Sequence, residues 1–201
     1  MNIECQSVSK RYTLNWIFKN LDASFAGPGI YGISGSNGSG KSTLLSLISG
    51  YLSPSKGKIG YTINGSNIPR EDIYTKISIA APYIDLIEEY TIGELIQVYK
   101  KLKPLEDSFD EKAFLHTAYL EKDRKKPIKY FSSGMKQRAQ LLLALKTDVP
   151  FLLLDEPTSF LDVKAKAWFY DLINEYKAKK LIIMASNDED DLQQCAQLIQ
   201  M

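Results

Sequence analysis

Apolar and polar residues alternate over Leu21 to Phe25, the pattern of a half-buried strand, and Ile3 to Tyr12 reads as a looser one. Gly27-Pro28-Gly29 marks a turn before a short apolar segment, Ile30 to Ile33, which reads as a buried strand. That segment runs straight into a Gly/Ser loop and then a helical stretch, Lys41 to Ser49, with Gly50 placed to cap it. Strand, glycine-rich loop and helix form the first half of a βαβ unit. Further on, Phe151 to Leu154 and Leu181 to Ala185 are unbroken apolar runs of strand length. An amphipathic stretch, Lys164 to Tyr176, separates them, so the pattern predicts a parallel sheet covered on both faces. Met135 to Lys146 reads as a further helix.

The pattern changes between Ile84 and Lys129. Ile92, Leu95, Ile96 and Tyr99 recur at helical spacing, as do Phe114, Leu115, Ala118 and Tyr119, with Pro104 and Pro127 as brackets. This predicts a mostly helical insert, about 84–138, within a single domain spanning 1–201. Asp188 to Asp191 is an acidic run that suits the start of a terminal helix, and no chemistry is assigned to it.

Composition narrows the class. The chain has 201 residues, which fits one compact domain. Its 25 Lys+Arg balance 24 Asp+Glu to a net charge of +1, so no nucleic-acid partner is expected. Cys5 and Cys195 lack metal-ligand spacing and read as reduced thiols of a cytosolic protein. The start lacks the layout of a secretory signal, and the longest aliphatic runs are too short to cross a bilayer. A membrane role is therefore expected only through a partner.

Residues 35–43 read G-S-N-G-S-G-K-S-T, which fits G-x-x-x-x-G-K-[ST]. Glycines let the backbone wrap so that the amides of Gly35, Ser36, Asn37, Gly38, Ser39, Gly40, Lys41, Ser42 and Thr43 can face phosphate oxygens. The helix N-terminus behind adds partial positive charge. Lys41 can reach the β- and γ-phosphates of a nucleotide, and the Ser42 hydroxyl can ligate Mg²⁺. A chance Gly/Ser turn is the bland alternative, and the flanking strand and helix argue against it. The run Phe151 to Glu156 ends a buried strand on two carboxylates. Asp155 would hold Mg²⁺ or its water, and Glu156 would polarise an attacking water. Read alone, D-E-P is equally a helix start.

These two motifs together resemble the ATP-binding-cassette ATPases, and a third sharpens the resemblance. Residues 131–138, F-S-S-G-M-K-Q-R, are similar to the family signature L-S-G-G-Q and the helix start after it. The resemblance implies that Ser132 and the Gly134 backbone contact the γ-phosphate of ATP held by a second subunit. Ser159 to Asp162 is similar to the S-A-L-D loop at that interface, which gives Asp162 a place there. Tyr12, after Lys10-Arg11, matches the ring that stacks on adenine, with Trp16 as the alternate. The implied fold is α/β: a P-loop NTPase core with a mostly parallel sheet, a small antiparallel β part and a helical subdomain insert. The implied function is ATP binding and hydrolysis that powers a separately encoded transmembrane permease subunit, with ATP and Mg²⁺ as cofactors. The partner cassette would make a homodimer or a heterodimer. The protein would sit in the cytoplasm, peripheral at the membrane. A soluble ATPase of repair, translation or iron–sulfur assembly, and a non-hydrolysing regulatory subunit, stay open as alternatives.

Two positions depart from the family pattern. Tyr83 stands where a Gln contacts Mg²⁺ and water, and Asn187 stands where a His touches the γ-phosphate. Asn187 can donate a hydrogen bond but carries no charge, so slow hydrolysis is expected. The only histidine, His116, lies in the insert and reads as structural or exposed. Tyr83, Ile84, Leu86, Ile87 and Tyr90 form an apolar run that is either core of the insert or, by the resemblance, the place where a short helix of the membrane partner docks.

Overall fold

The computed structural model describes residues 1–201. The chain runs β1 (Asn2–Tyr12), β2 (Asn15–Ala26), β3 (Gly29–Ser34), α1 (Lys41–Ile48), β4 (Lys56–Ile63), β5 (Ser66–Asn67) and β6 (Ile77–Ala80). It continues through α2 (Ile92–Leu102), α3 (Glu111–Thr117), α4 (Ser133–Lys146), β7 (Phe151–Asp155), α5 (Val163–Tyr176), β8 (Leu181–Ala185), α6 (Glu189–Gln193) and β9 (Gln197–Gln200). Two sheets result. One is antiparallel, in the order β2-β1-β4-β5. The other is parallel throughout, in the order β6-β7-β8-β3-β9.

The unbroken apolar runs of β7 and β8 arise because both faces of the parallel sheet are covered. Phe151 and Leu153 join Ile183 on one face, against Leu44, Leu45 and Ile48 of α1 and, beyond them, Ile3 and Phe25 of the antiparallel sheet. Leu152, Leu154, Ile182 and Met184 point the other way, against Leu141 and Leu145 of α4 and Phe169 and Ile173 of α5. The side chains of each strand thus alternate between two cores. A third core binds α2, α3 and the turns around them to Ala139, Leu142 and Leu143 of α4. Helix α4 therefore serves two cores at once and is buried on most of its circumference.

Three expectations change. The segment from Ile84 to Lys129 is less helical than its periodicity suggests. Only α2 and α3 are regular, and turns with short 3₁₀ segments join them. The chain does not end on a helix: α6 is five residues long, and β9 then pairs parallel to β3. Strands β4 and β5 were not evident in the sequence. Two lysines and two glycines interrupt β4, where only Ile59 and Tyr61 are buried. No helix is long and apolar enough to cross a membrane.

Candidate functional site

The C-terminal ends of β3, β7 and β8 lie side by side, and each feeds a loop into one crevice. In parallel sheets this end is where ligands collect. The first loop, Gly35 to Gly40, leaves β3 and turns directly into α1. Its last residue, Gly40, caps α1 with φ 107°, a left-handed value. A Cβ there would lie 2.7 Å from Ile17 Cγ2, so glycine is required both by conformation and by the close approach of β2. The Ser39 hydroxyl oxygen is buried and has no protein partner.

Lys41 is 6% exposed, yet it carries a cation. Its Nζ donates to Gly35 O at 2.8 Å and to Ser36 O at 3.4 Å, and it lies 3.5 Å from Glu156 Oε1. The ammonium thus sits between the phosphate loop and the loop after β7. Glu156, the first residue past that strand, has φ 45°, a strained value for a residue with a side chain. Its N–H donates to Ala185 O at 2.8 Å, which ties the β7 loop to the end of β8.

Asp155 ends β7 and is 2% exposed. Burial pushes its carboxyl above the usual aspartate range; the Ser42 hydroxyl pulls it down, Glu156's charge raises it, and Lys41 and the Tyr83 hydroxyl lower it. Its Oδ1 has no hydrogen-bond partner. An acceptor left open on a buried carboxylate, beside a serine hydroxyl, suits a hard divalent cation. No three His, Cys, Asp or Glu side chains converge anywhere in the fold. Asp155 and Ser42 could hold such a cation.

Tyr83 is half exposed, and its hydroxyl lies beside Asp155 and Ser46. Burial raises its pKa. The phenol therefore reaches the position for which the resemblance implies an amide. The other departure also falls in the crevice: Asn187 Nδ2 donates to Asn37 Oδ1 at 3.0 Å, joining the loop after β8 to the phosphate loop. Gly35, Ser36, Asn37, Gly38, Ser39, Lys41, Ser42, Asp155, Glu156 and Asn187 are thus brought together.

The remaining sequence-predicted residues lie elsewhere. Ser132 caps α4, accepting from Met135 N–H at 3.2 Å. A Cβ on Gly134 would stand 3.2 Å from Phe160 O, so the signature turn packs against the loop before α5. Asp162 caps α5, accepting from Ala165 N–H at 2.8 Å. None of these contacts is with the chain's own phosphate loop. Tyr12 is exposed, with Lys10 Nζ 5.1 Å from its ring centroid. Trp16 gathers Lys19 and Arg11 at 5.3 and 5.5 Å. His116 is exposed and pairs with Glu121.

Two sets of residues escaped the sequence reading. Gln137 and Gln140 on α4 are buried; one donates to Pro157 O at 2.7 Å, the other to Ala81 O at 3.1 Å and Ile84 O at 2.6 Å. They pin the signature helix to the loops that carry Glu156 and Tyr83. Asp191 is the other omission. The acidic run was assigned no chemistry, but this carboxylate is buried beneath the crevice among three hydroxyls. The available signal was its place three residues after the cap residue Asp188, on the inward side of α6.

A family model described as ABC transporter matches residues 18–159. The uncharacterized ABC transporter ATP-binding protein YybJ of Bacillus subtilis is 31% identical over 192 residues, which cover 94% of this chain and 87% of that one. ABC transporter A family member 11 of Dictyostelium discoideum is 32% identical over 174 residues, 83% of this chain but only 20% of that longer protein. Among solved structures, a bacterial ABC transporter cassette in dimeric form superposes with a TM-score of 0.83 at 21% identity, covering 99% of this chain and 94% of that one.

Proposed function

As the chain belongs to the ABC transporter family of ATP-binding ATPases, we propose that it powers a separately encoded membrane subunit by closing on a second cassette around ATP. The observation that carries this reading is the placement of Lys41 between the phosphate loop and Glu156. One cation there can release Gly35 O and turn to phosphate oxygens, leaving Glu156 free to act on water. The amides of Gly35 to Thr43 and the dipole of α1 would bind the phosphate tail. Glu156 would orient the attacking water and accept its proton at Oε1 or Oε2. Asn187 would donate one neutral hydrogen bond near the γ-phosphate. Asp155 and Ser42 would hold Mg²⁺, whose charge, when bound, stabilises the transferring phosphoryl group.

Tyr12 would stack on adenine. Ser132, the Gly134 amide and Asp162 would serve the partner cassette's nucleotide, as none of their contacts is with the chain's own phosphate loop. The chain matches 87% of a relative named as an ATP-binding protein, which supports a separate subunit; the dimeric form of the solved cassette supports the pairing. We place the domain at 1–201, with the helical insert at about 84–138, and the protein at the cytoplasmic face of the membrane. Within the apolar run, Leu86 and Tyr90 pack into the core of the insert, while Tyr83 and Ile87 stay exposed. The exposed Ile87 would meet the membrane subunit, since the Tyr83 hydroxyl is turned to Asp155.

Glu156→Gln tests the reading. It should lower ATP turnover by about 10²- to 10⁴-fold while ATP still binds, and sedimentation should show a dimer only when ATP is present. Unchanged turnover, or no ATP-dependent dimer, would overturn it.

A further inference from the structure

Asp191 is 1% exposed and accepts three hydrogen bonds, all from hydroxyls. Ser186 Oγ donates to its Oδ2 at 2.7 Å, Thr158 Oγ1 to the same oxygen at 3.1 Å, and Tyr170 OH to Oδ1 at 2.9 Å. A buried carboxylate without a cation partner is costly, and three donors are what offset that cost. Their origins are the informative part. Thr158 lies two residues beyond Glu156 on the loop after β7, Ser186 lies on the loop after β8 immediately before Asn187, and Tyr170 lies on α5. One side chain thus ties together two of the three loops that line the crevice.

Ser186 continues the chain of contacts to the site. Its Oγ is 3.3 Å from Glu156 Oε2 and accepts from the Asp188 N–H at 3.0 Å. A hydroxyl has one proton, and the 2.7 Å contact with Asp191 claims it. The longer contact limits where Oε2 can lie without binding it tightly. We infer that Asp191 is a positioning residue of the ATPase, which acts through Ser186 and Thr158 to set the Glu156 carboxylate against its water. This rests on the assignment of Glu156 as the base.

The test measures steady-state kcat, equilibrium ATP affinity and thermal midpoint for Ser186→Ala, Asp191→Ala and Asp191→Asn, each also in a Glu156→Gln background under single turnover. Ser186→Ala should lower kcat about tenfold, because it removes the oxygen that limits where Glu156 Oε2 can lie, with ATP affinity within twofold. Asp191→Ala, which takes the acceptor away from Ser186, Thr158 and Tyr170, should lower kcat by as much, whereas Asp191→Asn should keep at least half of it, because Asn retains one acceptor for Ser186 and Thr158 and the Tyr170 hydroxyl can rotate to accept; an unchanged kcat for Asp191→Ala overturns the inference. In the Glu156→Gln background Ser186→Ala should change the rate less than twofold. An unchanged kcat for Ser186→Ala overturns the inference. So does an equal loss of ATP affinity, or the full tenfold effect in the double variant. Wild-type turnover by Glu156→Gln itself would instead remove the base assignment.

Discussion

On the proposed reading, Asn187 is the side chain that would most limit the chemistry. Its amide already spans from the loop after β8 to Asn37 of the phosphate loop, so the position is geometrically suited to a phosphate but supplies only a neutral donor. Hydrogen bonds from a charged donor are roughly twice as strong as neutral ones. Asn187→His should therefore raise kcat, by about fivefold for ~1 kcal/mol of added stabilisation, with little change in ATP affinity; equal turnover would show that the Asn does not limit the rate. The phosphate loop was readable from sequence because its chemistry is local: consecutive amides, glycines at the motif's fixed positions, and one lysine, all within nine residues. Asp191 was not readable. Its function depends on Thr158, Tyr170 and Ser186, which the fold alone brings to it.

At the scale of elements, α5 and α6 are joined by an ion pair between Lys166 and Asp188 that lies beside this network. The hydrogen bond to Lys166 holds the Asp188 carboxyl below its ordinary range, and the same bond raises the lysine. A depressed acid gives stability that is present above its unfolded pKa and lost as pH falls through the folded one. A raised base gives stability that is lost as pH rises through its folded value. The thermal midpoint of the wild-type protein should therefore exceed that of Lys166→Met at neutral pH. The gap should begin to shrink as pH drops below the usual aspartate value of about 3.9 and close only below the depressed value of the folded protein. A gap that stays constant with pH would mean that packing of the lysine stem, not charge, supplies the effect. Helix α5 announced itself by its amphipathic spacing, and β7 and β8 by their unbroken apolar runs. Strands β4 and β9 did not. The first spreads its two buried residues among lysines and glycines, and the second is a four-residue edge whose pairing is decided by β3.

At the scale of the whole molecule, the crevice holds the phosphate loop, the two carboxylates and Asn187, while Ser132 and Gly134 are built on α4 against a different loop. On the proposed reading the two halves would complete each other by pairing of two cassettes, and the buried glutamines of α4 tie the two surfaces into one body. The sequence signalled both halves by motif, and the parallel sheet by its apolar runs. The pins between them, Gln137 and Gln140, looked like ordinary polar positions on a helix, because only the packing of α4 between two cores makes them buried.

All of this stands on the phosphate loop and the cation within it. Equilibrium binding of ATP in the presence of Mg²⁺, compared between the wild-type chain and Lys41→Ala, addresses that directly. Loss of a charge-assisted contact of about 1.5–3 kcal/mol should weaken binding by roughly 10- to 100-fold, with the thermal midpoint of the nucleotide-free protein little changed. Equal affinity for the two proteins would contradict the account.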